Sequence, residues 1–199
     1  LIDISVLNSL PRKEIRSGYA EIIKHALIKD YAFFNWLEKN ANELLNLNKS
    51  ILEQAIYKSI MIKLYYVIKD EKEFLSNNNS RAMLNFGHTI GHAIESHYNY
   101  QKFNHGEAIS IGMITEAKIS NYLGLLSSKE LEKIIMHFKK CKLKIYDKIL
   151  KDRILIKILA KDKKNFQNNI NFSLIKQIGS SIFYKKLDKD QVYKLLKNI

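Results

Sequence analysis

The chain has 199 residues, 46% apolar and 27% charged, an ordinary balance for a folded globular protein. No run approaches the ~18 consecutive apolar residues of a membrane span, and the first residues, LIDISVLNSL, have no basic stretch ahead of an apolar one as a signal peptide would. The expected location is cytoplasmic, with no membrane partner. Basic residues number 33 against 20 acidic, a net charge of +13, but the lysines are scattered, as in KILKDRILIKILAKDKKN, and no aromatic residues interleave with them. Solvated helix faces account for that charge better than nucleic acid, which is not expected as a partner. Cys141 is the single cysteine, so an internal disulfide and a cysteine-built zinc site are both excluded. Any metal must be held by His and carboxylate.

One proline and seven glycines leave few breakers, and the apolar spacing is helical along most of the chain, so the expected class is mainly α, a single multihelical domain over 1–199. Pro11 opens a short helix ending near Arg16, and a second helix starts near Ser17 with Tyr19, Ile22, Ile23, Ala26 and Leu27 on its apolar side. Asp30 caps YAFFNWLEKNANELL. From Lys49 to Lys69 the expected core-facing stripe is Ile51, Ala55, Ile60, Leu64 and Val67. The polar DEKEFLSNNNS is a loop, followed by helices over 81–98 and 105–123; the second is apolar almost all round and is expected at the centre of the fold. Ser127 and Glu130 form a capping-box pattern, a further helix covers about 151–161, INFSLIKQIGSSIFYKKL reads as a small β-hairpin near 170–186 turning at Gly179, and Asp188 caps a terminal helix.

Four of the six histidines fall within NFGHTIGHAIESHYNYQKFNHGEAISIGM. A helix places His88 and His92 on one face, with Glu95 next on the same side. This is not the metalloprotease motif, because Thr89 stands where HExxH needs its general-base Glu. His105 opens the apolar helix, where free backbone N–H groups favour an anion. Paired histidines at helical spacing are more often structural than ligating. Here Gly87, Gly91 and Gly106 allow close approach of backbone or ligand, and Glu21, Lys24 and His25 form a second ionisable cluster inside an apolar helix. A carboxylate at Glu21 with two histidines would make a three-ligand site with open positions, as catalytic zinc uses. Lys24 also has a plainer reading as the salt-bridge partner of Glu21, and Lys63 and Lys163 as solvated cations.

In chain order, LPRKEIRSGYAEIIKHALIKD, SRAMLNFGHTIGHAIE, FNHGEAISIGM and KDKKN resemble the C-terminal domain of the bacterial 3-dehydroquinate synthase family. The loop from Phe74 to Ser80 is longer than that family's usual spacing. The resemblance implies a lyase of the shikimate pathway. Its reaction converts 3-deoxy-D-arabino-heptulosonate 7-phosphate to 3-dehydroquinate and phosphate, by transient oxidation with NAD, β-elimination, reduction and aldol cyclisation. It implies Glu21, His88 and His105 as ligands of Zn2+ or Co2+, with His92 a substrate contact and not a ligand. Lys24, Lys63, Arg81, Asn85, His92 and one lysine of Lys163 and Lys164, Lys163 being favoured, would surround an anionic sugar-acid phosphate, Lys24, Lys63 and His92 with catalytic roles and Glu73 as a further neighbour. Charge on both ends of such a substrate calls for Lys and Arg.

No GxGxxG and no alternating strand–helix pattern is present to bind a dinucleotide. The resemblance assigns NAD to an N-terminal α/β domain expected to precede Leu1, so the isolated chain is expected to be inactive and the full-length protein a homodimer. The alternatives are another sugar-phosphate cyclase or a metal-dependent polyol dehydrogenase of the same superfamily, or a basic helical binding module without enzymatic activity.

Overall fold

The computed structural model describes residues 2–161 and 169–198. The segment around Lys163 lies outside them. The described elements are helical apart from one two-stranded antiparallel sheet, in line with the expected class.

After a 3-10 turn at Ile4–Ser9, α1 runs unbroken over Arg12–Lys29. The expected break at Ser17 is absent, because Ser17 and Gly18 fit within the helix: nothing lies within 4 Å of where a Cβ on Gly18 would stand, and the Ser17 hydroxyl accepts from the Gly106 N–H at 2.9 Å. Asp30 caps α2 (Tyr31–Leu45) through the Phe33 N–H, as its position after the apolar run suggested. For α3 (Lys49–Lys69) the ends are as expected, but the stripe is so only in part, with Ala55 buried and Ile51 packed against the core. Leu52, Ala55, Ser59, Ile62 and Tyr66 face the core, while Ile60 and Leu64 are 39% and 42% exposed. Tyr57, Met61 and Ile68 are exposed as well, so α3 is apolar on two opposite faces and periodicity alone does not single out the packed one.

The helix expected over 81–98 divides into a 3-10 turn at Arg81–Asn85 and α4 at His88–His97. Gly87 causes the division, since its φ of 82° lies in the left-handed region that glycine adopts without strain. Close packing on α5 (His105–Tyr122) holds the break in place: a Cβ on Gly112 would collide with the Gly87 carbonyl oxygen. Asn104 and Glu107 form a capping box that starts α5. Ser127 caps α6 (Ser128–Lys140), α7 spans Arg153–Lys161, and α8 spans Lys189–Asn198 after Asp188 accepts from the Asp190 N–H. Strands β1 (Asn169–Gln177) and β2 (Ser180–Asp188) form the hairpin, with Ser173 opposite Phe183. Its turn residue Gly179 donates to the Leu27 carbonyl at 2.8 Å, fastening the hairpin to the end of α1.

As expected, α5 is the buried central helix, and it separates two apolar clusters. Ile109, Met113, Ile114 and Ala117 pack with α1, α2, α3 and α6, while Ala108, Ile111 and Ile119 pack with α4, α7, α8 and the hairpin. The N-terminal ends of α4 and α5 thereby meet the middle of α1.

Candidate metal centre and its cleft

Three side chains from three helices converge at that junction. Glu21 comes from α1, His88 from the first residue of α4 and His105 from the first residue of α5. Glu21 Oε1 lies 3.6 Å from His88 Nε2 and 3.5 Å from His105 Nε2. A tetrahedral ion with bonds of about 2.1 Å sets its donor atoms about 3.4 Å apart, so the spacing suits one. Glu21 Oε1 is buried and has no hydrogen-bond partner. Such an orphaned acceptor is costly unless something positive sits against it.

The atoms facing away from this point are already engaged. Glu21 Oε2 accepts from Lys24 Nζ at 2.7 Å, His88 Nδ1 lies 3.2 Å from the Phe86 carbonyl, and His105 Nδ1 lies 3.1 Å from Glu95 Oε1. Each of these bonds orients one donor and leaves its other atom aimed at the shared point, as outer partners of metal ligands do. His92, Glu95 and His105 also place donor atoms within 4.8 Å of one another. In that trio, however, His105 and Glu95 satisfy each other, and no orphaned acceptor remains.

Charge follows the same geometry. Burial works against an ionised Glu21, but His105, Lys24 and His88 outweigh it and hold the carboxyl well below the usual carboxylate range. Burial, then Lys24, pushes His88 down to about 3 against the pull of Glu21, so the ring is a neutral donor at neutral pH. His105 shifts upward, mainly through the nearby Glu21 carboxylate and further through its bond to Glu95, with burial opposing. Burial lowers Lys24, with the charge of Lys63 acting in the same direction and Glu21 opposing.

Beside the trio opens a cleft of about 240 Å³ whose polar wall includes Asn85, His88, His92, Asn171 and Ser173. His92 is exposed, its ring 5.1 Å from that of His88. Lys24 is buried beside Glu21, and Lys63 is an exposed residue on α3 close enough for its charge to act on Lys24. Arg81 turns to the loop, with its guanidinium 3.8 Å from Glu73 and 3.2 Å from the Glu71 carbonyl. Asp70 organises that longer loop by accepting from the backbone of Phe74, Leu75 and Arg81 and from the Ser80 hydroxyl. His97 stacks edge-on against Tyr98 and stays apart from the trio.

The structure thus brings together Glu21, Lys24, His88, His92 and His105, with Asn85 in the adjoining wall. Residue spacing had not revealed Glu116 of α5, which is fully buried and accepts from the Gly87 and Ile90 N–H groups at 2.7 and 3.2 Å. Burial pushes its carboxyl up to about 8, with these N–H donors opposing. The available signal was a lone acid on a helix apolar all round.

A family profile described as 3-dehydroquinate synthase C-terminal matches residues 18–165, most of the chain. The chain belongs to this family. Among curated relatives of this chain, the 3-dehydroquinate synthase of Thermodesulfovibrio yellowstonii is 40% identical over 196 residues, 98% of this chain and 54% of that protein. The one from Halalkalibacterium halodurans is 40% identical over 198 residues, 98% of this chain and 53% of that protein. The chain therefore spans about half the length of these relatives. Two solved structures share the fold at 22% identity. A 2-epi-5-epi-valiolone synthase from Streptomyces hygroscopicus, with NAD+ and Zn2+ bound, superposes with a TM-score of 0.86 over 100% of this chain and 54% of its own. A 2-deoxy-scyllo-inosose synthase, complexed with carbaglucose-6-phosphate, NAD+ and Co2+, does so with a TM-score of 0.69 over 98% of this chain and 54% of its own.

Proposed function

We propose that this chain is the metal- and substrate-binding part of a 3-dehydroquinate synthase that eliminates phosphate from 3-deoxy-D-arabino-heptulosonate 7-phosphate and closes the carbocycle. The observation that carries the metal part is Glu21 Oε1, buried and unpartnered between two imidazole nitrogens. Glu21, His88 and His105 would hold the ion, Zn2+ or Co2+, and the related cyclases described with those ions make the donor set chemically apt. A divalent ion there supplies Lewis acidity, lowering the pKa of a coordinated substrate hydroxyl. NAD, which supplies transient hydride removal, is expected to bind mainly to residues outside these 199.

The remaining residues bind and orient. Lys24 keeps Glu21 ionised and, held at 4% exposure, is fixed in place beside it by their ion pair. His92 and Asn85 offer hydrogen bonds from the cleft wall, and Lys63 adds positive potential beside Lys24. Arg81 reaches a substrate carboxylate by leaving Glu73, an exposed pairing of the kind that contributes at most about 1 kcal/mol. By motif, Lys163 completes the cationic set around the phosphate. Homodimerisation and a cytoplasmic location belong to the same reading; no helix among the described residues is long and apolar enough to cross a membrane.

The cyclase fold leaves a second reading, an inosose or valiolone synthase, because two solved structures sharing this fold are described as such synthases. Arg81 and Asn85 favour the substrate that bears a carboxylate. An assay of the full-length protein against the heptulosonate phosphate and two sugar phosphates that lack a carboxylate, a hexose and a heptose phosphate, is expected to release phosphate efficiently from the first alone. Comparable turnover of either sugar phosphate would reject the assignment.

A further inference from the structure

We propose that Glu116 is a positioning residue for His88, capping α4 from the neighbouring helix and so fixing where one metal ligand stands. The proposal rests on the metal reading above but concerns a residue that reading leaves unused. A helix start leaves its first N–H groups without intrahelical partners, and a side chain at the N-cap normally accepts from them. In α4 the N-cap is Gly87, which has no side chain to do so. Glu116 supplies the acceptors from α5: Oε2 takes the Gly87 N–H at 2.7 Å, Oε1 takes the Ile90 N–H at 3.2 Å, and the Thr89 N–H also faces the carboxyl group.

These three residues bracket His88. Its ring is tied to the same turn, with Nδ1 3.2 Å from the Phe86 carbonyl, so backbone and imidazole both depend on where α4 starts. Starting the helix one residue away would swing its faces by about 100° and carry His88 off Glu21.

A bland alternative is that Glu116 only stabilises the α4–α5 packing. Glu116 is 0% exposed, and no ion pair among the described residues includes it. Burying an acid without a cation is expensive, and α5 around it is apolar, with Met113, Ile114, Ala117 and Ile119 all buried. Gly112, one turn before Glu116, already lets the helices approach backbone to backbone, so the close crossing does not depend on an acid. What the carboxyl group adds is a defined pair of accepting oxygens at the turn that carries the ligand.

The test compares the parent chain with Glu116→Gln, which keeps shape and one acceptor oxygen but puts an amide nitrogen, which cannot accept, in place of the second oxygen, and with Glu116→Leu. Zinc affinity is read by competition with a chromophoric chelator. The melting temperature is read in chelator without metal, and NOEs between the His88 and His105 rings, whose centroids lie 5.4 Å apart, are read in the metal-free protein. The expected result is zinc binding weakened roughly 10- to 100-fold in Glu116→Gln, with loss of those NOEs and a metal-free melting temperature close to the parent's. A lowered melting temperature with unchanged zinc affinity and unchanged NOEs would overturn the proposal and leave Glu116 a packing residue. If the parent and His88→Ala bind zinc equally poorly, the metal reading fails separately. The NOEs then decide: their loss in Glu116→Gln supports the positioning role, and their retention refutes it.

Discussion

His137 is 3% exposed and hydrogen-bonded to the Tyr19 hydroxyl at 2.6 Å; His25 is 6% exposed and bonded to Ser59 at 2.6 Å. Burial first, then nearby lysines, pushes both down to about 4 from 6.5. Because the folded value is depressed, the unfolded chain takes up the protons first as pH falls. Stability from each histidine is therefore complete above pH 6.5 and is lost down to about pH 4. The slope is about 1.4 kcal/mol per pH unit per histidine. Glu116 works with the opposite sign, so a difference measurement isolates the effect. In urea titrations, the stability margin of the parent over a Tyr19→Phe, His137→Leu double variant should shrink at that slope between pH 6.5 and 5; a constant margin would refute a neutral, buried His137. At this scale the motif residues were legible from GHTIGH and NHGEA. The orienting roles of Glu95 and Glu116 were not, because a hydrogen bond between helices leaves no spacing in the sequence.

The α4–α5 crossing is the element on which the site depends. Gly87 turns the chain, Gly112 lets its carbonyl approach, and Gly91 packs on Ile109. Gly112→Ala would push the Gly87 carbonyl aside and is expected to destabilise the chain by about 1–3 kcal/mol, seen as a lower urea midpoint together with weaker zinc binding. Parent-like stability and affinity would show that the crossing tolerates a methyl group and does not set the site. Most elements could be read in advance from Asp30, Ser127, Asp188 and Gly179, whose side chains or torsions act locally. The split at Gly87 could not, since glycine inside an apolar pattern is silent until the opposing backbone is known. The misplacing of Ile60 and Leu64 on α3 has a related cause: an apolar Tyr57–Ile68 face competes with the true core face.

On the scale of the whole chain, α5 joins two apolar clusters, and the trio sits where its N-terminus meets α1 and α4. The ligands are far apart in sequence, with Glu21 more than sixty residues before His88, so only the fold could show that they meet. Because Glu21 Oε1 is buried without a partner, the metal-free fold holds an uncompensated acceptor that a bound ion relieves. The most direct test is a zinc titration of the 199-residue chain followed by thermal melting, alongside His105→Ala. One equivalent is expected to bind, and free zinc at about a hundred times Kd should stabilise by about 2.7 kcal/mol, raising the melting temperature by roughly 5–10 °C. His105→Ala should abolish most of that rise. No bound zinc, or an equal rise in the variant, would contradict a metal centre built from Glu21, His88 and His105.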